Sequence, residues 1–226
     1  YRQFWEARFD RLDEYLKELQ AQEKTPANTS AGKRKKGAGT KQPDSSRSSM
    51  NSTSFMKPTA AVKPYIVSRE FDAPRDLLWD ANTTTEHMEK WLGPEGTTGF
   101  TKSMDFRVGG VYHYAQRSHD GTLNTWGRMT YVSIEPKHRM VVLNSFSDEH
   151  GGITTHPMAP TWPKVMHWDM RFEELGENRS RLTITWLPVE GSSEEELAMF
   201  DGARDGMDQG WKGTLDKLEA YLKRAQ

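Results

Sequence analysis

The 226-residue chain contains no cysteine, which excludes disulfide cross-links, thiolate nucleophiles and cysteine-bound metal. No apolar run approaches the ~18–20 residues that a bilayer-spanning helix needs, and no signal peptide is visible at the amino end. A soluble, cytosolic protein with no membrane partner is the expectation. Catalytic signatures are missing too. There is no G-x-S-x-G, no P-loop and no dinucleotide glycine pattern. The histidines His87, His113, His119, His138, His150, His156 and His167 form no H-x-x-x-H pair. No metal, no cofactor and no catalytic residue are therefore expected.

What is present is unevenly spread. The net charge is only −1, yet segment 24–63 carries nine Lys/Arg and one acid, Asp44, for a local +8. The remainder sums to −9, so a basic tether joins two acidic pieces. Rich in Ser, Thr, Lys, Gly and Ala, that tether buries too little apolar surface to offset its chain entropy. It reads as a flexible linker. "GKRKK" at 32–36 is either a phosphate contact or a solvated charge run. Before it, residues 1–23 place Trp5, Phe9, Leu12, Leu16 and Leu19 in alternating steps of four and three, a heptad seam on an amphipathic helix. That seam either packs on its own domain or forms a homodimer. The chain opens on Tyr1 rather than methionine, which suggests a piece of a longer protein.

Residues 64–226 read as one α+β domain. A strand over 63–71 stops at Pro74. Two short helices follow, with Pro74 in the first turn of one and Thr84 capping the other; Gly93-Pro94 ends the second. Strands are expected at 100–106, 111–116, 123–134, 139–146, 164–173 and 179–187. Gly109-Gly110 turns the first hairpin. Segment 147–163, with Gly151-Gly152, Pro157, Pro160 and Pro163, is a long loop of the kind that often serves binding. A single helix over about 193–224 closes the chain, opened by Ser192 and Ser193 with three glutamates. A sheet of six or seven antiparallel strands with one long final helix forms a core by curling around it.

Three separated stretches, "KWLGPEG" (90–96), "MDFRVGGVYHY" (104–114) and "DQGWKGTLDKLEAYL" (208–222), resemble the domain of the activator of heat shock protein 90 ATPase homologue family. That family is a branch of the START-like, polyketide-cyclase and birch-pollen-allergen superfamily (SRPBCC). The resemblance covers most of 64–226 and implies a helix-grip fold with a cavity between helix and sheet. Separately, "YRQFWEARFDRLDEYLKELQ" resembles the last helix of ArsR-type winged-helix regulators. This implies a transcription regulator whose DNA contacts lie in a missing upstream domain.

The final helix raises its own question. Gly202, Gly206, Gly210 and Gly213 lie within it, each costing about 1 kcal/mol relative to alanine. Phe200, Ala203, Met207, Trp211, Leu215, Leu218 and Leu222 form an apolar stripe, with the glycines on a neighbouring flank. Either a backbone approaches closely there or space is left for a guest. Arg204 projects near the stripe, reaching the rim by its stem or meeting an acidic partner. On the sheet, Met166, Trp168, Met170 and Phe172 share one face, as do Leu182, Ile184 and Trp186. Trp91, Tyr112, Tyr114 and Trp126 add aromatic surface. Candidate ligand contacts are Trp91, Tyr112, Tyr114, Trp126, Met166, Trp168, Met170, Arg204, Met207 and Trp211, around an apolar or aromatic small molecule. The same residues also suit a solid core. Asp105 and Arg107 read as a pocket anchor or an ion pair at the sheet end. Three functions compete: a ligand-binding module on a regulator, a cyclase-like or hydrolase-like enzyme resting on fold analogy alone, and a co-chaperone-like protein-binding module.

Overall fold

The computed structural model describes residues 56–226 apart from 94, 95, 120, 122 and 123. The expected helix at 1–23, its dimer seam and residues 24–55 of the linker lie outside the described residues. The elements run β1 (Tyr65–Phe71), α1 (Arg75–Thr83), α2 (Thr85–Trp91), β2 (Thr97–Met104) and β3 (Val111–Ser118). Then come β4 (Asn124–Glu135), β5 (Arg139–Ser147), β6 (Met166–Gly176), β7 (Arg179–Pro188), α3 (Glu194–Gly202) and α4 (Arg204–Ala225).

Seven antiparallel strands form one sheet in the order β1-β7-β6-β5-β4-β3-β2. Strands β2 to β7 meander, through short turns except for the long loop between β5 and β6, and β1 adds to the edge that β7 leaves open. Register shifts between Thr101 and Ser103, Tyr131 and Ser133, and Glu174 and Gly176 insert bulges. Bulges strengthen the twist and bend their strands, and the sheet curls into a half-barrel around the C-terminal helix. Residues 57–59, expected to belong to the linker, pair with the end of β7. Thr59 N–H donates to Pro188 O at 2.9 Å, and Glu190 N–H to Lys57 O at 2.8 Å.

The helix ends follow local chemistry, with two departures from expectation. Pro74 is the N-cap of α1, at φ −59°, rather than a first-turn residue. Thr84 does cap α2, but its hydroxyl donates back to Asp80 O at 3.0 Å and closes α1 instead. Ser193 and Glu196 form a reciprocal capping box at α3, with bonds of 3.2 and 2.8 Å.

The expected single final helix is broken. Ala203 stands at φ −90°, ψ 2° between α3 and α4, its N–H shared by Met199 O and Phe200 O. Gly202 ends α3 here, where a residue without a side chain restrains the backbone least. The next residue anchors the bend: Arg204 Nε donates to Asp201 at 2.9 Å, and its other nitrogens to the carbonyls of Lys63 and Pro64. Apolar periodicity runs on through the break, so spacing alone does not reveal it. Beyond it, α4 buries Met207, Leu215, Leu218 and Leu222 against the concave sheet face. Each fully buried leucine there contributes about 1.5–3 kcal/mol.

Candidate ligand-binding site

Strand alternation decides which side chains meet α4. Trp168 of β6 is paired directly with Trp186 of β7, so both indoles stand on the same face. Their ring centroids are 5.4 Å apart at 87°. Trp211 of α4 lies 5.4 Å from Trp168 and 6.1 Å from Trp186. Phe200 of α3 adds a ring 6.3 Å from Trp186. Trp162, from the loop between β5 and β6, reaches both Trp186 at 5.6 Å and Phe200 at 6.1 Å. Edge-to-face pairs of this kind add about 0.5–1.5 kcal/mol each beyond area burial. The cluster is therefore a stiff aromatic wall.

The wall has an unusual polar feature. The Nε1 atoms of Trp168 and Trp186 are fully buried and find no acceptor among the described residues. An orphaned buried donor costs about 1–3 kcal/mol. Trp91 is the contrast: its Nε1 donates to Ala81 O at 2.7 Å.

Beside the wall, the flank of α4 carries Gly206, Gly210, Gly213, Lys217 and Tyr221 at helical spacing. Lower on this flank, Tyr221 Oη meets His87 Nδ1 at 2.8 Å, and Lys217 Nζ donates to Thr97 O at 3.0 Å. These contacts hold the C-terminal half of α4 to α2 and β2. One and two turns up, the contacts stop. A Cβ built on Gly210 or Gly213 would meet no heavy atom of the described residues within 4 Å. Of the two explanations open in the sequence, close backbone approach does not apply at these positions. Gly206 is buried, and Gly202 belongs to the end of α3. The opposite flank is tied to β1, where Tyr65 Oη donates to Asp208 at 2.7 Å and Arg69 pairs with Asp216 at 2.5 Å.

The expected contact residues divide accordingly. Met166, Trp168, Met207 and Trp211 belong to the wall and the helix ridge facing it, and Met170 lies further along the same face of β6. Tyr112 and Tyr114 occupy the concave face on β3, stacked at 4.9 Å. Tyr114 Oη accepts from buried Asn144 Nδ2 at 3.2 Å, and burial pushes its hydroxyl up to about 12. Three residues stand elsewhere. Trp126 pairs with Ala115 on the convex face, packed on His113 and Phe100 and covered by Lys102. One step along the strand puts a side chain on the other face. Trp91 joins α2 to α1, and Arg204 is engaged by its three partners at the helix break. Asp105 and Arg107 form an exposed ion pair at 2.9 Å in the β2–β3 turn.

Sequence reasoning missed Trp162, Trp186 and Phe200 as site residues. Trp186 had a signal, its alternation with Leu182 and Ile184. Trp162 had only its isolation in a proline-rich loop. Also from that loop, His156 lies 4.5 Å from the Phe146 ring. Its Nδ1 accepts the N–H groups of Met158 and Ala159 at 3.0 and 3.1 Å, and burial holds its pKa down at about 4. The group is therefore neutral near pH 7. No cluster of potential metal ligands occurs among the described residues, and no described helix is long and apolar enough to cross a membrane.

The sequence family described as Activator of Hsp90 ATPase homolog 1-like protein matches residues 72–223. No curated protein matches. Among solved structures, a protein from Arthrobacter aurescens is 26% identical, covering 76% of this chain and 93% of its own, with a TM-score of 0.59. A protein from Mycobacterium smegmatis is 23% identical over 70% of this chain and 88% of its own, with a TM-score of 0.56. The AHSA1 protein from Silicibacter pomeroyi is 16% identical over 73% of this chain and 100% of its own, with a TM-score of 0.54. The last two likenesses speak for the fold alone.

Proposed function

The chain belongs to the Activator of Hsp90 ATPase homolog 1-like family, and on that premise we propose that its folded domain binds a small apolar or aromatic molecule between the curled sheet and α4. The observation that carries this reading is the bare shoulder of α4. Gly210 and Gly213, flanking Trp211, have no described atom within 4 Å of a built Cβ, while the residues below them on the same flank reach α2 and β2. Two helix-interior glycines cost about 2 kcal/mol together, and neither relieves a close contact. Space beside a rigid aromatic wall is what an apolar guest requires. The resemblance of residues 1–23 to the last helix of ArsR-type regulators supports reading the domain as a sensing appendage of such a regulator.

The test is titration with N-phenyl-1-naphthylamine, an uncharged probe that brightens in apolar surroundings. The wild-type chain should bind it saturably. Gly213→Leu, which fills the shoulder, should weaken binding at least tenfold without lowering the melting temperature. Absence of saturable binding, or unchanged affinity in the filled variant, would overturn the proposal.

A further inference from the structure

Resting on that binding reading, we propose that the guest is an uncharged aromatic molecule bearing a hydrogen-bond acceptor, and that the indole N–H groups of Trp168 and Trp186 select it. The two residues are cross-strand partners on the concave face, and both donors are buried without an acceptor among the described residues. Trp168 is only 8% exposed, so bulk water is not its routine partner. The Trp91 indole and the Asn144 amide are each satisfied, and the other unpartnered buried atoms among the described residues, Arg75 Nε and Ser147 Oγ, do not form such a pair of adjacent donors. A carbonyl or ether oxygen has two lone pairs, so one guest can answer either donor or both. The surrounding rings of Trp162, Phe200 and Trp211 favour a flat partner met edge-to-face.

The charge follows from what else is near. Arg204 is engaged by Asp201 and two backbone carbonyls, and Arg69 by Asp216 and Glu219. Asp208 is bonded to Tyr65. A carboxylate or ammonium guest would enter an aromatic wall with its counter-charges already taken, and a buried charge without a partner is strongly disfavoured. An indole N–H compensates a neutral oxygen fully.

Three matched probes test this on the full chain: 2-acetylnaphthalene, 2-ethylnaphthalene and 2-naphthoate, with calorimetry for affinity and indole-15N spectra for the donors. The ketone should bind about tenfold tighter than the hydrocarbon and tighter than the carboxylate. It should also shift two indole resonances, assigned with Trp168→Phe and Trp186→Phe. In those variants, which keep a ring but remove the N–H, the ketone preference should shrink to within about twofold. Equal affinity for ketone and hydrocarbon with unmoved indole signals overturns the donor assignment and leaves the binding reading standing. Tightest binding by the carboxylate overturns the neutral-guest assignment. If none of the three binds, both this inference and the reading beneath it fall. The wild-type comparison decides the matter even if a variant does not fold.

Discussion

Gly110 and Gly127 of the sheet and Gly210 and Gly213 of the terminal helix do opposite things. On β4, Gly127 faces Tyr114 across the strand pair, and a Cβ there would lie 2.6 Å from the tyrosine ring. At the β2–β3 turn, a Cβ on Gly110 would lie 2.0 Å from Asp105 O. Those glycines are absent side chains whose room is already taken. On α4, Gly210 and Gly213 are absent side chains whose room no described residue has taken. One residue type thus marks both crowded and open places in this fold, and only the neighbours distinguish the two.

Substitution should separate them by sign. Gly110→Ala forces a methyl onto a backbone oxygen that closes the turn, so a loss of about 3 kcal/mol or more is expected, read from urea midpoints. Gly127→Ala presses on a ring that can move only by disturbing its stack on Tyr112, so a loss of about 1–3 kcal/mol is expected in the same assay. If both are neutral, the sheet is not the sealed wall described.

The rim offers a pH test of how dry the closed side is. His156 has a folded pKa of about 4 against an ordinary 6.5. Between those values the unfolded chain takes up the proton and the folded chain does not. Stability therefore falls as pH drops from 6.5 to 4, by up to about 3 kcal/mol. Protonation would also remove the lone pair that accepts from Met158 and Ala159. Comparing unfolding midpoints at pH 7 and 4.5 for wild type and His156→Gln isolates this share. An identical pH response in the variant would place the imidazole in water. The smallest effect is on the open side. Gly210→Ala and Gly213→Ala should each raise stability by about 0.5–1 kcal/mol, roughly additively. A loss instead would mean that something does approach the shoulder.

Much of the scaffold was legible in the residues. Alternation in "MHWDMRF" and "RLTITWL" puts Trp168 and Trp186 among the apolar sets that face the helix, and Ser193 with Glu196 announces the start of α3. The break at Ala203 was not legible, because Arg204 draws its partners from residues 63 and 64, about 140 positions away in sequence. Trp126 was misplaced among the contacts for a related reason. An aromatic residue advertises burial, but its face depends on register, and bulges such as that at Tyr131/Ser133 reset register within a strand.

Composition and periodicity by themselves determined that this chain makes a curled antiparallel sheet closed by an amphipathic terminal helix, because those signals depend on residues a few positions apart. They also located four glycines on that helix without saying what the gaps were for. Tertiary structure alone decided that two of them have no described neighbour at hand, that four tryptophans converge on one another and that two indole donors go unanswered among the described residues. Emptiness and missing partners are properties of what comes near a residue in space, and no local pattern encodes them.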